Sequence, residues 1–329
     1  MKENFSCTLT GSQWWKPLIG YFVLLLALFI PFEFAIIRMS LPGAENPGSS
    51  LLFMLVMLIL IIILEAAFSI IIYRIVYPSI SIRNESFKFN GQIGPFIKLY
   101  LIGSLLSLIT LGFYFPWFTK KLMDYITENT EFKGEKTFFL GKAGKLLKYY
   151  LLALWLPLIV WAILVIGIAG LAGVVAAFST PLAIILGIIA GILYLFIFVI
   201  IIPFMYLAYK WQMDMQWKNI RITWKTEFWP SSLFLAGQVL LTIITVGIYF
   251  PAFYIKSYRY FIGKTVLETN GEEISRLGFK NDSGFGYIWG QTLLSMITMG
   301  IYLPWAYANC LRYFINNTYI EDKQSLLNQ

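Results

Sequence analysis

The chain has 329 residues, of which 59% are hydrophobic and only 13% charged, and its mean hydropathy is +0.73; a soluble domain carries about a quarter charged residues. A water-soluble globular class is excluded, and with no polar stretch longer than about 30 residues there is no room for a separate soluble domain. The net charge of +8 would suggest nucleic acid in a soluble protein, but in an apolar chain it reads as Lys and Arg in cytoplasmic loops facing anionic lipid.

Four windows, 18–37, 51–73, 149–175 and 182–207, are almost free of charge and reach the roughly 20 residues that a helix needs to cross hydrocarbon. The first has no small-residue cleavage pattern and is read as an uncleaved anchor. Cys7 and Cys310 have neither the number nor the spacing of a disulfide framework or metal site. The segments "SFKFNG" at 86–91 and "TEFKGEKTFFLG" at 130–141 alternate in character and predict small surface hairpins. The windows at 149–175 and 182–207 are joined by "FSTP" at 178–181 and predict a helical hairpin. Gly167, Gly170, Gly173, Gly187 and Gly191 are expected to let its two helices approach closely.

One element recurs: "TLGFYFPW" at 110–117, "TVGIYFPA" at 245–252 and "TMGIYLPW" at 298–305. A hydroxyl precedes each threonine by three residues (Ser107, Thr242, Ser295). Each copy continues through a shared tyrosine (Tyr125, Tyr260, Tyr313) to a second threonine (Thr130, Thr265, Thr318). These define an internal repeat of roughly 40 residues, an apolar helix, a breaker and an amphipathic helix, at about 91–130, 232–265 and 285–318.

The run "FKFNG", an apolar helix, "TLGFYFPW", a Lys- and Arg-bearing stretch, "NT" and "FKG…FFLG" resembles the YjgN family of bacterial inner-membrane proteins over most of 87–318. The resemblance implies a location and a fold type and no reaction. Asp124 stands where the other copies have Arg259 and Arg312, and Ala252 where they have Trp117 and Trp305, so a role at those positions is not shared by all three.

Lys and Arg are concentrated at 74–94, 116–148, 210–227, 255–280 and the C-terminal tail, whereas 38–50 holds only Arg38 and Glu45 and 178–181 holds no charge. The positive-inside tendency places the first group in the cytoplasm, with the N-terminus, and the two poor loops outside. Each repeat then begins and ends on one side. Two helices of about 15 residues, bent back at Gly112 and Pro116, Gly247 and Pro251, Gly300 and Pro304, would do so, each reaching roughly 22 Å. The commoner arrangement is a spanning helix kinked at proline, with the amphipathic remainder in the interface.

The absence of histidine excludes His-based triads and proton shuttles, and no phosphate loop or metal motif occurs. No enzymatic activity, catalytic residue, metal or cofactor is expected. Asp124, Glu128, Glu131 and Glu135 mix with Lys133 and Lys136 in a solvated loop. Glu33 and Glu65 lie inside apolar windows, where an acid costs about 2.5–3.5 kcal/mol and marks either ion handling or a local pair; Arg38 and Arg74 are the near partners. With Thr110, Thr245 and Thr298 they form the candidate intramembrane polar site. Lys120, Lys121, Arg259 and Arg312 are the candidate lipid-headgroup contacts.

The expected fold is an all-α polytopic membrane protein, a helical bundle with three repeated broken or kinked helices and small surface β-hairpins. It divides into an N-terminal transmembrane helical hairpin at 1–86 and a repeat-containing membrane domain at 87–329 around a central hairpin at 149–207. Two functions fit: a transporter or channel for a small solute or ion through a cavity lined by the broken helices, or a non-transporting inner-membrane scaffold that binds lipid or a partner protein. Membrane lipids are the expected partners, and nucleic acid is not.

Overall fold

The computed structural model describes residues 2–40, 47–281 and 283–322. Glu45 and the tail beyond 322, which entered the loop-charge comparison, lie outside the described residues.

Strand β1 (Lys2–Cys7) leads into two long helices, α1 (Gly11–Ser40) and α2 (Pro47–Ser79). Strands β2 (Ile80–Ile82), β3 (Glu85–Ser86) and β4 (Lys88–Phe89) precede α3 (Ile93–Ile109) and α4 (Phe115–Glu128). Strands β5 (Thr130–Phe132) and β6 (Glu135–Phe139) precede α5 (Ala143–Tyr149), which runs through a π-helical turn at Tyr150–Trp155 into α6 (Leu156–Val175). The π turn sits just before Pro157, which has no N–H to donate to the preceding turn. The chain returns along α7 (Thr180–Leu195), α8 (Ile197–Ile200) and α9 (Ile202–Gln212). There follow β7 (Met215–Trp217), β8 (Ile220–Trp224), α10 (Phe228–Ile244), α11 (Phe250–Ile262), β9 (Thr265–Thr269), β10 (Glu272–Phe279), α12 (Phe285–Ile297), α13 (Leu303–Asn316) and β11 (Thr318–Asp322). Four helical stretches, Gly11–Met39, Gly48–Ser79, Ala143–Val175 and Thr180–Gln212, are long and apolar enough to cross a membrane.

The expectation of an all-α bundle with small separate hairpins is overturned by the sheet. Eleven strands among the described residues form one antiparallel array in the order β3-β2-β1-β11-β10-β9-β8-β7-β6-β5-β4. Its two end strands are consecutive in the chain and separated only by Phe87, so the sheet nearly closes on itself. The expected hairpin at 130–141 is present, turning at Lys133 and Gly134 with φ of 52° and 78°, the paired positive φ of a tight hairpin turn. Asn270 and Gly271 turn β9 into β10 in the same way, at 53° and 85°.

Strands and helices alternate in a regular scheme. Each helical hairpin stands on the sheet, and one backbone hydrogen bond joins its two feet. These are Thr8 N–H to Ser79 O, Asn90 to Asn129, Leu140 to Asp214, Lys225 to Lys264 and Lys280 to Asn317, all 2.8–2.9 Å. The long hairpins α1–α2 and α5 to α9 share this joint with the short ones α3–α4, α10–α11 and α12–α13. Five β-pairs link the feet, and one of them, β1 with β11, is supplied by the two ends of the chain (Lys2 opposite Glu321, Glu3 opposite Ile320, Asn4 opposite Tyr319). The helices close the same circuit, because α13 packs on α1 and Trp14 stacks on Tyr307 at 4.8 Å.

Ion pairs cross between strands on the sheet: Lys2 with Glu321 at 3.2 Å, Arg83 with Glu3, and Lys225 with Glu268 at 2.8 Å and Glu273 at 3.3 Å. Burial raises the Glu273 carboxyl, and Lys225 with Arg276 more than offsets it, so it titrates below the usual range. The accessible surface is 18968 Å², against about 14,000 Å² for a compact monomer of this mass. The excess is apolar helix surface: α6 has no buried residue, and the α6–α7 glycines have open space where a Cβ would stand. The expected close approach at Gly167, Gly170, Gly173, Gly187 and Gly191 is therefore absent, although α6 and α7 do pack as a hairpin and Trp161 Nε1 donates to Leu193 O at 2.8 Å.

Candidate functional site

In all three copies the repeated element is a reversal, and the kinked spanning helix is replaced by two antiparallel limbs. Across α3–α4, Phe96 meets Tyr125 and Tyr100 meets Phe118, with ring centroids 5.3 and 5.5 Å apart; across α10–α11, Phe234 stacks on Tyr260 at 4.4 Å. The shared tyrosines fasten the feet. Tyr125 OH donates to Gln92 O at 2.7 Å and accepts Gln92 N–H at 2.8 Å, Tyr260 OH meets Ser231 Oγ at 3.2 Å, and Tyr313 OH donates to Asn281 O at 3.3 Å. The second threonines, Thr130, Thr265 and Thr318, are buried and donate to the carbonyl four residues back.

A turn surrounded by apolar side chains must satisfy its own backbone donors, and this one does. Thr110 N–H bonds Leu106 O, Leu111 bonds Leu108 O and Gly112 bonds Ser107 O; Phe113 bonds Thr110 O, and Phe115 bonds Gly112 O. These include the paired bonds that close a helix through a left-handed residue. The remaining donor, Tyr114 N–H, is taken by Thr110 Oγ1 at 2.9 Å, while that hydroxyl donates to Leu106 O at 2.7 Å. Thr245 and Thr298 do the same for Tyr249 and Tyr302, both at 3.0 Å. Gly112, Gly247 and Gly300 have φ of 89°, 85° and 89°, a region costly for any side chain. Pro116, Pro251 and Pro304 sit buried at the second helical position, where no N–H is required.

Replacing Thr298 by Val keeps the shape and leaves the Tyr302 N–H without its acceptor, with an expected loss of about 1–3 kcal/mol. Thermal unfolding in detergent checks this, and Thr298→Ser is expected to restore most of the difference.

Polar side chains continue from the turn down the seam between limbs. In α12–α13, Tyr302 OH donates to Gln291 Oε1 at 3.1 Å. Asn309 Nδ2 donates to Gln291 Oε1 at 2.9 Å and to Tyr302 OH at 3.2 Å, and Arg312 Nη2 donates to Asn309 Oδ1 at 2.5 Å. In α10–α11, Lys256 Nζ donates to Tyr249 OH at 2.8 Å and that hydroxyl to Gln238 Oε1 at 2.9 Å. In α3–α4 only Lys121 to Tyr114 OH remains, at 3.0 Å; the place of the glutamine is Gly103, and the Phe118 ring fills it.

Of the predicted lipid contacts, Lys121 and Arg312 belong to these networks, Lys120 is paired with Asp124 at 2.5 Å, and Arg259 lies on the exposed side of α11. Of the predicted polar site, Glu65 accepts a hydrogen bond from Tyr21 and Glu33 is half-buried on α1. No ion pair joins Glu33 to Arg38 or Glu65 to Arg74 among the described residues; Arg74 instead donates to Gly91 O at 2.7 and 3.2 Å. The three threonines bond within their own turns. Two cavities stand out, an open apolar groove of about 810 Å³ between the ends of α1 and α2 far from the sheet and a smaller polar one at β3, β4, β5 and the turn after β5, and neither is lined by Glu33, Glu65 or those threonines.

Sequence reasoning missed Gln238, Gln291, Lys256 and Asn309. The spacing of seven between Tyr114 and Lys121, Tyr249 and Lys256, Tyr302 and Asn309 puts each pair on one helix face, and that was the available signal.

Cations lie at a common height. Arg74, Lys121, Lys148, Lys210, Lys256 and Arg312 stand five to nine residues from the nearest strand, about 8–14 Å at 1.5 Å per residue. Beyond them the helices are mainly apolar, with Glu33, Arg38 and Glu65 of the long hairpins and Gln291 of α12 among the exceptions.

Helical hairpins of two lengths raised on a ring-like sheet, four stretches of them apolar enough to cross a membrane, define the class. The chain belongs to the family described as bacterial protein of unknown function (DUF898), whose model matches residues 84–271. No curated protein and no solved structure matches it.

Proposed function

We propose that this protein is a multi-pass scaffold of the bacterial inner membrane that engages phospholipid and conducts no solute. In this reading α1–α2 and the hairpin from α5 to α9 cross the bilayer. The three short hairpins enter only the cytoplasmic leaflet, with the sheet and both chain ends on the cytoplasmic side, where the Lys and Arg residues favour it. The observation that carries it is the chemistry of the short tips. Leu111, Val246 and Met299 are 85%, 91% and 94% exposed, each flanked by further exposed aliphatic residues, a surface that water disfavours and acyl chains accept. Lys121 and Lys256 lie seven residues behind Tyr114 and Tyr249, about 10 Å. With the cations at the headgroups, the tips stop short of the midplane at about 15 Å. The threonines that a solute path would need are occupied in the turns, and Glu65 is held by Tyr21.

Spin labels placed singly at 111, 246 and 299 in proteoliposomes test it. Power-saturation measurements are expected to put all three about 10 Å below the phosphates of one leaflet, with no proton or potassium flux above protein-free vesicles. Labels freely accessible to water, or a flux that follows the protein, would overturn the reading.

A further inference from the structure

The two long hairpins differ at one height. Helices α1 and α2 run 30 and 33 residues without interruption, although Pro17 and Pro31 lie inside α1. The hairpin from α5 to α9 is broken on both limbs. On the rising limb the π-helical turn at Tyr150–Trp155 begins 10 residues beyond the foot at Leu140, and on the returning limb the helix is interrupted at Phe196 and Ile201, 18 and 13 residues from the foot at Asp214. At 1.5 Å per residue both sets of breaks lie about 15–27 Å from the sheet. A proline stands beside each: Pro157 follows the π turn and Pro203 follows Ile201, and neither can donate to the carbonyl four residues back.

The neighbours hold this hairpin chiefly up to the breaks. Tyr150 stacks on Phe115 of α4 at 5.8 Å and meets Phe204 of α9 at 6.0 Å. Its hydroxyl lies 2.7 Å from the place of a Cβ on Gly112, and α8 packs on α10. Farther out α6 has no buried residue and packs mainly on α7, where Trp161 Nε1 on Leu193 O locks the two limbs together at 2.8 Å. At the corresponding height α1–α2 is tied instead: Tyr21 donates to Glu65 and stacks on Phe68 at 4.1 Å, and Ala66 and Ile70 of α2 are fully buried. Interruptions at one height in both limbs, with a clamp just beyond them, make a hinge under a rigid body.

We infer that α6–α7 is a rigid paddle that swings as one body on this hinge, while α1–α2 stands as a fixed post. The hairpin α3–α4 lies between the two, packed through α3 on α2 and through α4 on α5, so the swing varies the opening over its tip. Val175 at the far end of α6 is 19 residues beyond Leu156, about 28 Å, and a swing of about 15° moves it by about 7 Å. The inference comes from the fold and does not need the leaflet placement proposed above.

The test is double electron–electron resonance on spin-labelled pairs of the full chain in lipid nanodiscs. Labels at 52 and 178, where Leu52 and Phe178 are exposed at the far ends of the two long hairpins, are expected to give a distance distribution at least twice as wide as labels at 52 and 218, which relate the post to the sheet. Labels at 163 and 188, within the paddle, are expected to be as narrow as that reference pair. Pro157→Ala combined with Pro203→Ala returns both donors to the backbone and is expected to narrow the 52–178 distribution to the reference width. If the double variant does not fold, as judged by gel filtration, each single variant is expected to narrow it in part. A wild-type 52–178 distribution as narrow as the reference, folded proline variants all as broad as wild type, or a wide 163–188 distribution would overturn the inference. Failure of the leaflet placement shows separately, in the label depths at 111, 246 and 299, and leaves these widths unchanged.

Discussion

Truncation after Asn317 is expected to lower the unfolding temperature by at least about 10 °C. The loss removes β11, which pairs three residues with β1 and five with β10. At about 1 kcal/mol net per backbone hydrogen bond, this is on the order of 5 kcal/mol. It also strips the Lys2 to Glu321 ion pair and leaves β1 joined to β2 alone. A circular permutant, with the original ends joined by a short flexible linker and new ends opened at Lys218 and Asn219, keeps every strand pair except the turn between β7 and β8 and is expected to unfold within a few degrees of wild type. Thermal unfolding in one detergent compares the three chains. A truncated chain as stable as wild type would show that closure of the ring contributes nothing.

Substitution at Gly103 is expected to be nearly as damaging. A Cβ there would stand 2.0 Å from the Phe118 ring, inside contact distance, so Gly103→Ala forces the ring out of the seam at about 1–3 kcal/mol, and Gly103→Leu costs more. Phe118→Ala alone leaves a void worth about 3–5 kcal/mol. The double variant Gly103→Ala with Phe118→Ala is expected to cost at least about 1 kcal/mol less than the sum, because the new methyl occupies part of the void. Additivity in the double-mutant cycle would mean that the two side chains are not opposed.

Much of this was legible in the residues. Charge scarcity gave the class, uninterrupted apolar length gave the four long stretches, and "TEFKGEKTFFLG" gave one hairpin, since positive φ at Lys133 and Gly134 leaves a visible mark at glycine. The repeated Thr, Gly and Pro marked a break. The sequence left open whether it was a kink or a reversal, because the deciding facts are the left-handed Leu111, Val246 and Met299, side chains with no conformational signature of their own. The sheet was mostly hidden. Many of the strands have only two or three residues and carry little period-two patterning, and β1 with β11 is a pairing between the chain ends that no local signal encodes. Asn270-Gly271 was an overlooked turn signal. The seam networks were hidden differently: Gln238 and Gln291 are ordinary helix residues until the opposite limb brings a tyrosine to them.

The unequal hairpin lengths have a mechanical consequence under the proposed placement. Ten limbs would occupy one monolayer and four the other. With each helix about 10–12 Å wide, the inclusion displaces roughly 500 Å² more area on its cytoplasmic side. Such a body is a cone, and a cone relaxes the stress of a sheet already bowed toward its broad end, so these molecules should collect where the cell envelope curves that way.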